Sequence, residues 1–279
     1  MADRTQAPTG FARRSRRLSD AETERRMLHV AVAMVHRTGL TVSLDHLSFE
    51  DLIRDADVSR SAAYRRWPYK DLFFSDLLKT LARATQLANV GNDGGQVLVE
   101  RFLLDNLDGL GSAEGRHDLA VELVRQGSLQ DFETVYRSTE WRTYYALNVT
   151  FLGLPIGDLR NEVQAALAAT EKGFIDRVSA ANERMASLLG YRLRAGTGAT
   201  FQTVATLGLA TIAGHVIKAL VAPEVATGRF VANPFGSTEA AEWSLPAIGL
   251  AIIAWTFLEP DPDVEWNKER IVWIRSVLE

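Results

Sequence analysis

The residues best suited to chemistry lie in one run, Ser48 to Phe73, which reads SFEDLIRDADVSRSAAYRRWPYKDLF. Within it Arg60, Ser61, Tyr64 and Arg65 share the outward face of a short helix, while Val58, Ala63 and Trp67 point inward. Arg66 and Lys70 follow, and Ser48 and Ser59 stand just before two helical segments. Such groups recognise anions. A guanidinium can fork onto guanine O6 and N7, and Ser and Tyr hydroxyls reach phosphate oxygens. Small residues let a helix of this kind sink into a major groove. Upstream, Arg13, Arg14, Arg16 and Arg17 form a basic cluster. Such an arm can enter a minor groove beside the major-groove helix, or serve only as a basic tail.

A second concentration is aromatic. Phe132, Tyr136, Trp141, Tyr144, Tyr145 and Phe151 are followed by Phe174, with Asn148 among them and His215 on a later apolar helix. Tyr and Trp join an apolar body to a polar tip, which suits a pocket for a semi-polar small molecule. Taken singly, each residue fits ordinary core better than a pocket. As a group they are the expected effector site, its ligand neutral or cationic and largely apolar.

Catalytic patterns are poor. Gly109-x-Gly111 and Gly196-x-Gly198 lack the third glycine of a dinucleotide loop, and no phosphate-loop lysine or Gly-x-Ser-x-Gly elbow occurs. There is no cysteine, so no thiolate nucleophile and no disulfide framework. His29 and His36 are seven apart with no evident third ligand. No catalytic residue, metal or cofactor is expected.

The elements that must position these groups follow from caps and periodicity. Ser19-Asp20-Ala21-Glu22 reads as a capping box opening a first helix, with Met27, Ala31, Met34 and Val35 on one face and Gly39 as its stop. Ser48 caps a second helix carrying Phe49, Leu52, Ile53 and Ala56. Asp57 tolerates the left-handed backbone of a tight turn. Ser59 caps a third helix, with Val58 and Ala63 at staple positions, and Pro68 closes it. A fourth runs from about 70 to 90, with Leu72, Phe73, Leu77 and Leu81 on its apolar side. After the Gly91–Gly95 break, further helices are expected near 96–108, 117–126, 129–152, 157–189, 198–221, 238–258 and 263–278, with no sustained β alternation and a long loop at 222–237.

Length and charge agree. The 279 residues are 24% charged and 47% hydrophobic, an ordinary globular balance. Residues 1–90 carry 15 Lys and Arg against 11 Asp and Glu, a net of +4, while 91–279 carry 16 against 24, a net of −8. A basic front on an acidic body points to an anionic partner for the front alone. No secretory signal is expected, and a reducing cytoplasm fits the lack of cysteine. The uncharged runs Phe201–Ile217 and Trp243–Leu258 are 17 and 16 residues long. That is short of the ~20 a spanning helix needs, so they are expected in the core or at a subunit interface.

The 48–73 run resembles the DNA-binding domain of the TetR family of transcriptional regulators. The family pattern T-V-x-x-I-A-x-x-A-G-V-S is held here by Ser48, Phe49, Leu52, Ile53, Ala56, Asp57, Val58 and Ser59. The segment ending L-Y-x-x-F is held by Ala63, Tyr64 and Trp67, and x-S-K-E-x-L by Lys70, Asp71 and Phe73. The resemblance covers about residues 20–90. Asp57 replaces the usual turn glycine, Ala63 a leucine, and Tyr69 the usual Ser or Thr cap; the Gly39–Ser48 connection is a few residues long.

The resemblance implies an all-α protein with three parts. They are a basic arm at 1–18, a helix-turn-helix domain with its linker helix at 19–90, and a helical effector-binding and dimerisation domain at 91–279. It implies a homodimeric repressor that binds double-stranded operator DNA, is released by a small-molecule effector and has no membrane role. Ser48, Ser59, Arg60, Ser61, Tyr64, Arg65, Arg66 and Lys70 fall at positions that commonly touch DNA. The 198–221 and 238–258 helices would form the dimer interface. Two other classes stay open: a helix-turn-helix regulator controlled by a protein partner, and a helical enzyme whose front domain no longer reads DNA.

Overall fold

The computed structural model describes residues 18–40, 47–84 and 95–279; the arginine cluster Arg13–Arg17 lies outside them. The fold is all-α, with four three-residue strands as the only sheet among the described residues. Helix α1 (Asp20–Thr38) begins at Ser19, whose hydroxyl accepts from Glu22 N–H at 3.1 Å. Only this half of the expected capping box forms. The Glu22 carboxylate turns to Arg25 and Arg26 instead, at 2.7 Å from each, and their bonds hold its pKa at about 2. Two guanidiniums outcompete one backbone N–H for the same oxygens.

Helices α2 (Phe49–Asp55), α3 (Arg60–Arg66) and α4 (Lys70–Ala84) follow. Ser48 and Ser59 each cap their helix by accepting from the backbone N–H three residues on. Asp57 sits between them at φ 51°, the one described non-glycine residue with positive φ. Short polar side chains visit this left-handed region at least cost, which is how Asp57 fills a turn that usually takes glycine. The four helices bury Met27, Phe49, Leu52, Trp67, Phe73 and Leu77 together. The rings of Phe49 and Trp67 both pack on Phe73, with centroids 5.2 Å and 5.0 Å away.

The body comprises α5 (Gly95–Asp105), α6 (Ala113–Arg137), α7 (Thr139–Leu152), α8 (Asp158–Leu188), α9 (Phe201–Val221), α10 (Glu224–Thr227), α11 (Leu245–Phe257) and α12 (Lys268–Leu278). The break expected near Gly127 does not occur. α6 runs through it and ends at Ser138, which caps α7 by accepting from Trp141 N–H at 3.2 Å. A glycine inside a helix costs about 1 kcal/mol against alanine, less than the packing of a 25-residue helix recovers. The helix expected over 238–258 starts only at Leu245. Ahead of it β3 (Ala241–Trp243) pairs antiparallel with β2 (Phe230–Ala232), so part of the expected loop is a small hairpin. Pro246 falls in the first turn of α11, where it needs no hydrogen-bond partner. β1 (Tyr191–Leu193) pairs with β4 (Leu258–Pro260). At the turn into β1, Gly190 has φ 69° and lies under Trp266, where a Cβ would come within 2.6 Å of the indole.

The core is continuous from front to body: Met27, Phe49 and Leu81 join the same cluster as Trp141, Tyr144, Val163, Phe174 and Val216. α9 reaches 21 residues and is, among the described helices, the one long and apolar enough to cross a membrane by length and composition. It packs against α6, α8, α10 and α11.

Candidate nucleic-acid interface and ligand cavity

The turn at Asp57 and the cap at Ser59 fix the angle at which α3 leaves α2, and burial fixes its rotation. Val58, Ala62, Ala63 and Trp67 are inside; Arg60, Ser61, Tyr64 and Arg65 are outside, with Lys70 exposed at the start of α4. This is the division expected from the sequence, with Ala62 added to the inner face. Ser48 and Ser59 are engaged as caps.

Each arginine of this face meets carboxylates of the same domain. Arg60 pairs with Glu50 at 2.7 Å, and Tyr64 Oη donates to the other Glu50 oxygen at 3.0 Å. The Tyr64 and Arg60 bonds hold the Glu50 carboxyl below its usual range, and the same bond raises the Tyr64 phenol. Arg65 bonds Asp20 of α1 at 2.5 Å. Arg66 bonds Glu24 at 2.9 Å and Asp76 at 3.0 Å and lies over the Trp67 ring. Arg60 and Arg65 are therefore solvent-facing and exchangeable, since exposed pairs hold weakly. Arg66 is more enclosed and ties α3 to α1 and α4.

From Asp76 a line of polar contacts leads into the body. Trp67 Nε1 donates to Asp76 at 2.9 Å, Lys79 lies 3.8 Å from Asp76 and 3.0 Å from Glu162 of α8, and Thr170 Oγ1 donates to the Ala82 carbonyl at 3.2 Å. α3 and α8 are thus joined through α4.

The nine residues expected around an effector do not all line one cavity, although Trp141 packs on Tyr144, Tyr145 and Phe174. Tyr144, Tyr145, Asn148 and Phe151 of α7 line one open cavity of about 450 Å³, together with Gln164, Leu167 and Glu171 of α8 and Thr206 and Leu209 of α9. Phe174 lines a different, larger cavity of about 550 Å³ between α6, α8, α9 and α11. Phe132 and Trp141 are core residues, with Tyr136 stacked on Phe132 at 5.6 Å, and none of the three lines either cavity. His215 bonds the Thr211 carbonyl at 2.8 Å and sits against Gly249 of α11. The larger cavity, walled by residues such as Val124, Met185, Leu250 and Trp255, had no signal in the sequence beyond general apolarity.

The residue that sequence reasoning missed is Glu171. It projects from α8 into the smaller cavity and accepts the Tyr144 hydroxyl. Burial, and next this carboxylate, raise the Tyr144 pKa; burial first raises that of Tyr145.

Comparison with known proteins finds no matching family model and no matching curated relative. The chain is similar to solved TetR-type regulators. One is SmeT, the repressor of the Stenotrophomonas maltophilia multidrug efflux pump SmeDEF, at 18% identity and TM-score 0.39, covering 90% of this chain and 97% of that one. Another is a TetR-family transcriptional regulator from Agrobacterium tumefaciens, at 15% identity and TM-score 0.41, covering 72% and 89%. A third is reduced NemR from Escherichia coli, at 13% identity and TM-score 0.43, covering 85% and 98%.

Proposed function

We propose that this protein is a cytoplasmic TetR-like transcriptional repressor and not an enzyme. Residues 19–90 act as the DNA-reading domain and 91–279 as an effector-binding and dimerisation domain. The observation that carries this is α3: a serine-capped helix with alanines against the core and Arg60, Ser61, Tyr64 and Arg65 on its free face. Arg65 and Arg60 are assigned to base edges; Tyr64 and Lys70 are assigned to phosphates, Lys70 at a helix start where the dipole also favours an anion. Ser48, Ser59 and Ser61 add phosphate contacts, and Arg66 supports the face from behind. The 1–18 arm, with Arg13, Arg14, Arg16 and Arg17, is assigned to the minor groove. A homodimer would present two such helices to half-sites roughly 34–36 Å apart.

The effector is assigned to the cavity of Tyr144, Tyr145, Asn148 and Phe151. Its position on α8 supports this: Glu171 faces the cavity, while neighbouring Thr170 holds α4 through Ala82. A ligand that moves α8 would move α4 and the spacing of the two recognition helices. Coupling of this kind is worth about 1–3 kcal/mol and is reciprocal.

The test is selection of bound fragments from random duplex DNA by the full chain, followed by gel shifts on the recovered sequence. A recovered palindromic site whose affinity falls steeply with salt is the expected result. Recovery of no consensus, with no salt-dependent binding, would reject the assignment.

A further inference from the structure

We propose that the α7–α8–α9 cavity selects organic cations, with Glu171 as the counter-charge. The inference rests on the assignment of this cavity to ligand binding and goes beyond it by naming the chemical class. Glu171 bonds the Tyr144 hydroxyl and has no cation within ion-pair distance among the described residues. The neighbouring cations are engaged elsewhere. Lys172 bonds Asp176 at 2.6 Å, and Lys79 and Arg83 turn to Glu162. Arg160 stacks on Phe151 at 4.6 Å and donates to the Leu154 carbonyl at 2.6 Å. A bound cation would supply the counter-charge that Glu171 lacks among the described residues.

The rest of the cavity fits the same chemistry. Tyr144 and Tyr145 stand beside Glu171 with ring centroids 5.9 Å apart. Aromatic faces attract ammonium groups within about 6 Å. The Tyr144 hydroxyl, by donating to a carboxylate, leaves its ring richer in electrons. Tyr145 Oη is buried with no hydrogen-bond partner, against the general rule that such atoms are satisfied, so Tyr145 offers the cavity its ring and not its hydroxyl. Leu167, Leu209 and Ala210 provide an apolar wall for the body of the molecule. The volume, about 450 Å³, is of the size that takes small organic ligands.

Calorimetric titration of the full chain with benzyltrimethylammonium chloride, in the absence of DNA, tests this. Saturable binding is expected, weakened about tenfold or more in Glu171→Gln, with no binding of the anion benzylsulfonate. Ala168→Phe, which fills the cavity from an exposed position without removing an internal bond, should abolish binding in a protein whose circular dichroism is unchanged. Equal affinity in wild type, Glu171→Gln and Ala168→Phe, or failure of the cation to bind at all, would overturn the cation assignment. Because no DNA is present, either result leaves the DNA-reading assignment to its own test.

Discussion

Arg60 Nε lies 2.8 Å from Glu50 Oε2, so the cation at the start of α3 is held by a carboxylate of the helix before it. Under the proposed DNA-reading role, DNA must displace Glu50 from Arg60, and also from Tyr64. Glu50→Gln removes a negative charge beside the expected phosphate path and weakens the hold on both residues. It should tighten binding to all duplexes a few-fold at low salt, with the gain shrinking as salt screens it. Gel shifts at two ionic strengths check this; weaker binding by the variant would show that Glu50 instead positions Arg60 for DNA.

Arg65 and Lys70 should separate base reading from phosphate holding. Arg65→Ala is expected to relax sequence preference at one position by about 1–3 kcal/mol. Lys70→Ala should weaken every sequence alike and flatten the salt slope by about one. Competition of specific against mixed-sequence DNA distinguishes the two.

The ring cluster under α3 sets the stability of the front domain. Phe49 is fully buried against Phe73 and Tyr64. Phe49→Ala should cost about 3–5 kcal/mol, seen as a lower denaturation midpoint. A loss under 1 kcal/mol would mean that the site collapses to fill the void.

Lys79 bridges Asp76 and Glu162, linking α4 to α8. Glu162→Gln should leave both ligand and DNA affinities near wild type when each is measured alone. The ligand's power to release DNA should fall. Unchanged release would locate the coupling elsewhere, with Thr170 and Ala82 as the next pair to break.

Assembly follows from exposed apolar side chains. Ile217, Leu220 and Val221 of α9 and Ile252 of α11 are uncovered, the kind of patch that marks an association surface. The expected species in light scattering is a dimer. Ile252→Glu, at a position 54% exposed, should give folded monomer; a monomeric wild type would exclude this interface.

The front domain was legible because its signals are local. Ser48 and Ser59 satisfy backbone groups three residues away, Asp57 supplies a left-handed turn within one residue, and the i, i+3, i+4 spacing of Phe49, Leu52 and Ile53 sets the inner face. Local hydrogen bonds and helical geometry need nothing from the rest of the chain, so residue type alone determined where α2 and α3 begin and which sides they bury. Even there, competition decided details, as when Glu22 turned to Arg25 and Arg26. The body was legible as helices but not as a site. Tyr144 and Glu171 are 27 residues apart and on different helices, and Phe174, three residues beyond Glu171, faces another cavity. Which aromatics become core, as Phe132 and Trp141 do, and which line a cavity depends on how α7, α8 and α9 dock. That docking is set by packing of whole helix faces, which the spacing of residues along one helix does not encode.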